Sequence, residues 1–249
     1  MKIKVIGGDG AFSYDNSSFL IEIPIVNDKI VKILFDCGVN TFNYIKDNNI
    51  DIDYVFISHT HFDHISGLEQ LIYYRYFVQN KITRIICGPE IQNELSLIFK
   101  DMRYYYENGE LIPTTMFEFV LIDNLRATLN QGKYFYKIDL IKGNHIIKVN
   151  YGLMILENKE KKGFLITGDT KACRNIKNII KKEAIINGYN LIVFHDFSFW
   201  NDPYKNIHCC KSDFEYYYNE FDNYNNIKWY LYHNEEFNEN YKNEEILII

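Results

Sequence analysis

Short apolar runs broken by turn residues open the chain. Lys2–Ile6, Ser18–Ile25 and Val31–Phe35 carry the β-branched and aromatic residues of strands, with GGDG and VNDK as turns between them. Val55–Ile57 is short and wholly apolar, as a buried strand is. The period then changes. Ile65, Leu68, Leu71 and Ile72 recur at helical spacing and predict a helix from Ile65 to about Val78. Arg84–Cys87 predicts a strand, and Pro89 opens a second helix. The polar, aromatic stretch YYYENGELIPTT, residues 104–115, reads as a loop.

The second half repeats this grammar. Tyr134–Ile141, Gly152–Leu156, Gly163–Thr167, Leu191–Phe194 and Lys228–Tyr232 predict strands. Cys173–Ile186 and Lys211–Phe221 predict helices. The apolar tail Glu245–Ile249 is a strand candidate that would cover a sheet edge or meet a partner. No long linker intervenes. The expected fold class is α+β: one domain of two pseudo-repeated halves, about 1–125 and 126–249, forming two face-to-face sheets with helices outside.

Composition narrows the function classes. With 47% hydrophobic residues among 249, the chain can bury a sizeable core. Its net charge of −6 makes it a poor partner for long nucleic acid or an anionic membrane. The five cysteines are scattered without a CxxC pair, which argues against a disulfide framework and for a reducing compartment. MKIKVIGGDGAF lacks the apolar block of a signal peptide, and no apolar run nears the ~18 residues of a membrane span. The expectation is a soluble cytoplasmic protein.

Chemistry concentrates in SHTHFDHISGL, residues 58–68. His59 and His61, two apart on extended chain, point to one side and can share an ion. Asp63 and His64 follow where the chain turns into a helix and can reach a second ion beside it. Imidazole suits zinc, and a carboxylate admits iron or manganese. A polar loop with Asp63 as helix cap would explain one such residue, not four within six positions. Further ligands are expected at later strand ends, where His145 in KGNHII, Asp169 in FLITGDT and His233 in KWYLYHNEE stand.

HTHFDH resembles the HxHxDH signature of the metallo-β-lactamase superfamily, and His145, Asp169 and His233 match its remaining ligand positions in order. The resemblance covers nearly the whole chain and implies an αββα sandwich with a dinuclear site at one edge. It assigns His59, His61 and His145 to one ion, Asp63, His64 and His233 to the other, and Asp169 to the bridge. Asp36 in ILFDCG matches an early Asp that supports the motif loop by hydrogen bonding.

The superfamily hydrolyses lactams, thioesters, lactones and phosphodiesters, so fold alone does not decide. An Asp at the bridge disfavours the β-lactamases that carry Cys there. The order GGDGAF, NSSFLIEI, LFDCG and DYVFISHTHFDHISGLEQLI resembles the RNase Z branch. HDF, residues 195–197, sits where that branch has His-Glu, and His208 where it has a catalytic His. The resemblance implies that Asp196 orients His208 and that His208 protonates the leaving oxygen, with Asp63 also at the reaction centre. RNase Z enzymes commonly carry a tRNA-gripping arm between the third and fourth motifs, and residues 146–168 leave no room for one. The chain thus looks most like compact cyclic-mononucleotide phosphodiesterases of the anti-Pycsar type. That implies two divalent ions (zinc, with manganese or iron as alternatives), a small cyclic nucleotide substrate, a homodimer and no membrane. Two divalent cations against two carboxylates and a hydroxide leave a net positive centre, suited to a phosphodiester anion. Tyr104, Tyr105, Tyr106, Phe197, Phe199 and Trp200 are candidates to stack the base, set against their plainer reading as core or interface aromatics. The alternatives are an RNase Z-like ribonuclease, a lactonase or thioesterase, and a protein that binds nucleotide without hydrolysis.

Overall fold

The computed structural model describes residues 1–11, 13, 15–130, 135–146, 148–198, 207–233 and 245–247. In chain order the elements begin with β1 (Lys2–Gly7), β2 (Ser18–Pro24), β3 (Ile30–Phe35), α1 (Val39–Asp47), β4 (Tyr54–Ile57), α2 (Phe62–Ile65) and α3 (Leu68–Tyr73). Then come β5 (Thr83–Cys87), α4 (Pro89–Ile98), β6 (Tyr104–Glu107), β7 (Glu110–Pro113), β8 (Phe117–Phe119) and α5 (Ile122–Leu129). The second half supplies β9 (Tyr136–Lys142), β10 (Tyr151–Glu157), β11 (Lys162–Ile166), α6 (Arg174–Ile180), β12 (Asn190–Asp196), α7 (Lys211–Tyr218), β13 (Ile227–Tyr232) and β14 (Glu245–Leu247). Of the strand residues expected from sequence, Tyr134, Ile248 and Ile249 lie outside the described residues.

The strands form a seven-stranded sheet, β14-β1-β2-β3-β4-β5-β8, and a five-stranded sheet, β13-β12-β11-β10-β9. Strict alternation drives their packing. Phe19, Ile21 and Ile23 of β2, with Ile33 and Phe35 of β3, face a shared core with Leu153 and Ile155 of β10, Phe164 and Ile166 of β11 and Phe194 of β12. Phe19 touches across the gap, its ring 5.3 Å from Phe194 and 5.1 Å from Tyr232. The in-between residues turn outward. Leu20 and Leu34 pack under Leu68, Leu71, Ile91 and Leu95 on one side. Met154, Leu156, Leu165 and Val193 pack under Ile176, Ile180 and Tyr218 on the other. The order helix, sheet, sheet, helix is the expected α+β sandwich. The apolar tail covers a sheet edge, β14 pairing antiparallel with β1.

Three local expectations change. The stretch 104–115 holds a hairpin, β6 paired with β7, rather than a loop. Its turn is Asn108-Gly109, both at positive φ (50° and 85°), the pair that a two-residue hairpin turn requires. The tyrosines before it have high strand propensity. The predicted helix from Ile65 starts earlier, at Phe62, and breaks at Ser66–Gly67, where the Gly67 N–H bonds to the Cys37 carbonyl (2.9 Å). Helices α1 and α5 and strand β8 are elements that the hydrophobic pattern does not announce. All five cysteines are free, and among the described residues no helix is long and apolar enough to cross a membrane.

The topology also places the chemistry. Strands β3, β4 and β5 run parallel, as do β11, β12 and β13. Their carboxyl ends meet at one edge of the sandwich. Asp36 follows β3, the HTHFDH segment follows β4, Asp169 follows β11, Asp196 ends β12 and His233 follows β13. His145 sits in the β9–β10 turn.

Candidate active site

Asp36 is the first fixed point of the site. It is fully buried and sits in the left-handed region at φ 57°, just past β3. Its Oδ1 accepts the Ser58 N–H (2.8 Å), and its Oδ2 accepts the Ser58 hydroxyl (2.7 Å) and the His64 Nδ1–H (2.7 Å). Because the Ser58 proton goes to Asp36, the Ser58 oxygen accepts from His59 Nδ1 (3.0 Å). One carboxylate thereby sets two rings: His59 and His64 both hold their proton on Nδ1 and present Nε2.

Both Nε2 atoms are buried without a hydrogen-bond partner among the described residues. So are Nε2 of His145, both carboxylate oxygens of Asp169 and Oδ1 of Asp196. Buried polar atoms left this dense are costly unless something bonds them. Their spacing points to ions. Ligand atoms of His59, His61, His145 and Asp169 all lie within 4.8 Å of one another, as do those of Asp63, His64, Asp169 and His233. Asp169 belongs to both groups: Oδ2 lies 3.6 Å from His59 Nε2 and 3.2 Å from His233 Nε2, and Oδ1 lies 3.2 Å from His64 Nε2. Nitrogen and carboxylate ligands at this separation suit a divalent ion such as zinc. His145 is the exception in detail. Its Nδ1 accepts the Lys148 N–H (3.0 Å), so an ion on Nε2 requires that contact to open.

Backbone strain marks the ligand loops. His233 sits at φ 70°, unusual for a non-glycine residue, and is held there by its N–H to the Gly8 carbonyl (2.6 Å). Gly168, at φ 64°, turns the chain before Asp169, and a Cβ there would overlap the side-chain oxygen of Asn150.

The electrostatics match a crowded, dry ligand set. Burial pushes His59 well below the ordinary histidine range, aided by nearby His64. Burial likewise lowers His145 to about 4. His64 goes the other way: burial opposes its charge, but Asp169, Asp36 and Asp63 outweigh it and hold the pKa well up. Burial disfavours the Asp169 carboxylate too, yet His233, His64 and His59 hold it well below the usual carboxylate range.

The structure also brings His208 and Asp196 to this cluster. Asp196 is fully buried, and its Oδ2 accepts His208 Nδ1–H (2.8 Å) and the Thr170 N–H (2.7 Å). The His208 ring stacks on His233 with centroids 4.4 Å apart. Burial lowers His208, but the Asp196 carboxylate more than offsets this and raises it to about 9. That favours the protonated form of His208, one ring from the candidate ligands. Its neighbour in HDF, His195, faces away, bonding the Asp196 carbonyl (2.7 Å) and the Tyr218 hydroxyl (2.9 Å) inside the core.

The stacking candidates fare unevenly. Phe197 is buried, its ring 6.0 Å from Phe214, and lines the core. Tyr104 is half exposed on the β6–β7 hairpin, and Tyr105 packs against the core beneath α3 and α4. Phe199 and Trp200 lie outside the described residues, as does the Tyr106 side chain. Several neighbours of the cluster carry no sequence signal of their own. Ser58 is one, and Phe62, exposed between His61 and Asp63, is another. Glu94 and Lys148, which ion-pair at 2.8 Å beside the His145 turn, are two more. Position beside the motif could mark Ser58 and Phe62, whereas only the fold brings Glu94 and Lys148 to it.

Known proteins resemble this chain as follows. The family described as Anti-Pycsar protein Apyc1 matches residues 1–247. Ribonuclease Z of Methanosarcina mazei is 33% identical over 102 residues, covering 38% of this chain and 33% of that protein. Anti-Pycsar protein Apyc1 of Bacillus phage BSP38 is 36% identical over 83 residues, 31% of this chain and 30% of that protein. The matches thus span about a third of the length of the first curated relatives. The metallo-β-lactamase fold protein YhfI from Bacillus subtilis superposes with a TM-score of 0.60 at 17% identity, over 97% of this chain and 89% of that one. That likeness bears on fold alone, and it identifies the sandwich as a metallo-β-lactamase fold.

Proposed function

The chain belongs to the anti-Pycsar Apyc1 family, and from that premise we propose that it is a metal-dependent phosphodiesterase that opens a small cyclic mononucleotide to a linear nucleoside monophosphate. In this reading it acts in the cytoplasm against a cyclic-nucleotide antiviral signal. The observation that carries the reading is the contact between the His/Asp cluster and the Asp196–His208 pair. A cyclic phosphodiester expels an alkoxide, a poor leaving group, so a proton donor must stand beside the attacked phosphorus.

His59, His61 and His145 would hold one divalent ion, Asp63, His64 and His233 the other, and Asp169 both. Zinc fits these ligands, and manganese or iron is compatible with the carboxylates. When bound, the ions supply Lewis acidity, lowering the pKa of water to about 7 and offsetting charge on phosphorus. The chain's own residues do the rest. Asp63 accepts a hydrogen bond from the attacking water and orients it. His208, its Nδ1–H fixed by Asp196, donates the Nε2 proton to the ribose oxygen as the phosphorus–oxygen bond breaks. The attacking water releases one proton to solvent and contributes the new oxygen on phosphorus, and the product is the linear monophosphate.

The interval that would hold a tRNA arm is taken up by β10 and β11. With the −6 charge, this favours a small substrate over RNA. A homodimer is part of the same proposal, with the β6–β7 hairpin as the contacting segment, because Tyr104 and Leu111 stand half exposed on it.

A panel assay tests the reading. Metal-loaded protein is incubated with cyclic mononucleotides, cyclic dinucleotides and unprocessed tRNA, and products are separated by chromatography. Opening of a cyclic mononucleotide is expected. RNA trimming with every cyclic nucleotide intact would overturn the reading in favour of an RNase Z-like nuclease.

A further inference from the structure

Two glutamates on one face of α4 grip the turn that carries His145. Glu90 and Glu94 are four apart, so their side chains lie on the same side of the helix. Glu90 accepts the Tyr151 hydroxyl (2.9 Å) at the start of β10 and lies 3.4 Å from the Lys142 ammonium at the end of β9. Glu94 lies 2.8 Å from the Lys148 ammonium inside the turn. The two glutamates thus hold residues on both sides of His145. Gly88 caps α4 where a Cβ would overlap the Tyr151 ring, so the helix start seats directly on that ring.

Glu94 also reaches the other ligand segment. The oxygen that meets Lys148, Oε2, accepts the hydroxyl of Thr60, which stands between His59 and His61. Lys148 stands three residues past His145 in the same turn, so its ammonium on Glu94, rather than the N–H contact that an ion on Nε2 would open, carries the tie. One carboxylate oxygen therefore joins the His59/His61 segment to the His145 turn, two pieces of chain that β4 and β9 bring from opposite sheets. Lys148 and Glu94 are each about a third exposed (33% and 37%), so their attraction adds little to stability. What the contact supplies is register.

We propose that Glu94, acting through Thr60 and Lys148, is a positioning residue for the ion assigned to His59, His61 and His145. The inference rests on the two-ion reading above. It separates the ions, because among the described residues Asp63, His64 and His233 are bonded elsewhere: His64 donates to Asp36, and Asp63 pairs with His233 at the β13 end.

Stepwise Co²⁺ titration of the metal-free protein, followed by visible absorption and elemental analysis, tests it. Wild type is compared with Glu94→Gln, Lys148→Met, their double variant, and Glu118→Gln as an exposed glutamate far along the sheet. The expected result is that one of two bound equivalents weakens about tenfold in either single variant, the other is unchanged, and the double variant loses no more than a single one. The melting temperature of the metal-free protein should stay near wild type. Two equivalents at wild-type affinity in both variants would overturn the clasp alone. Equal weakening of both ions with a lower melting temperature would also overturn it, as a general structural effect. Wild-type protein that binds no ion pair overturns the two-ion reading, and the clasp with it.

Discussion

Nδ1 of His208 lies 2.8 Å from Oδ2 of Asp196, although Asp196 is one methylene shorter than the glutamate its position resembles. The Thr170 N–H fixes the same oxygen at 2.7 Å, so the carboxylate cannot swing away. This geometry commits Nδ1 of His208 to Asp196, so Nε2 is the nitrogen that would serve as the proposed proton donor. His208→Ala is expected to lower kcat on a cyclic mononucleotide by about 10²–10⁴-fold, with both ions retained by elemental analysis. Asp196→Asn should give a smaller fall in kcat with KM little changed. Full turnover by His208→Ala would remove this histidine from the reaction, and ester turnover unaffected by it would point to a lactonase or thioesterase.

Asp36 sets two candidate ligand rings at once, through Ser58 for His59 and directly for His64. Asp36→Asn keeps the shape but turns one acceptor into a donor facing donors. Ion affinity should fall about 10–100-fold, read by competition with a chromogenic chelator. Asp36→Ala should also destabilise the protein by about 1–3 kcal/mol, because the Ser58 and His64 donors would be left buried and unpaired. Wild-type affinity in Asp36→Asn would show that the ions alone orient the rings.

Much of the sandwich is legible in the sequence because alternation is a local signal: Phe19, Ile21 and Ile23 declare an inner face without help from the rest of the chain. The candidate ligand cluster is legible for another reason. HTHFDH concentrates metal-binding side chains that packing does not require, and His145, Asp169 and His233 each follow a strand. The hairpin at Tyr104–Pro113 hides behind the polar residues, Gly and Pro of its stretch, while Asn108-Gly109 is the stronger cue. Helix α1 escapes notice because its apolar stripe is short, with only Thr41 and Ile45 buried. Glu94 cannot be found from sequence at all. Its importance comes from Thr60 and Lys148 arriving at one oxygen, a meeting that spacing along the chain does not encode.

Gly168 holds Asp169 in place from the backbone. At φ 64° an alanine would be strained by about 1–2 kcal/mol, and its Cβ would press on the Asn150 amide, which bonds the Thr167 carbonyl (3.0 Å). Gly168→Ala should therefore lower thermal stability and, by moving Asp169, weaken both ions together. The paired loss separates it from a change at Glu94, which should weaken one. Calorimetric melting with metal titration reads both effects, and unchanged ion binding in Gly168→Ala would show that Asp169 tolerates the shift.

Glu183 gives a pH dependence remote from the metal ligands. Its side chain is 2% exposed, with the Lys137 ammonium at 2.6 Å and the Asn187 amide at 2.8 Å. Burial alone would raise its pKa, but the hydrogen bonds from Lys137 and Asn187 outweigh it and hold the carboxyl below the usual glutamate range. The folded protein thus favours the ionised form more than the unfolded chain does. The resulting stability is fully present above the unfolded value of about 4.3 and is lost as pH falls through the lower folded value. Because Lys137 is about a third exposed (36%), solvent screening trims the pair, and Glu183→Gln should lose about 1 kcal/mol at pH 7. The gap between the variant and wild type should stay level down to about pH 5 and close below about pH 4. Urea unfolding of both proteins across that range measures it. A gap that persists unchanged into acid would mean that packing around the side chain, rather than its charge, supplies the stability.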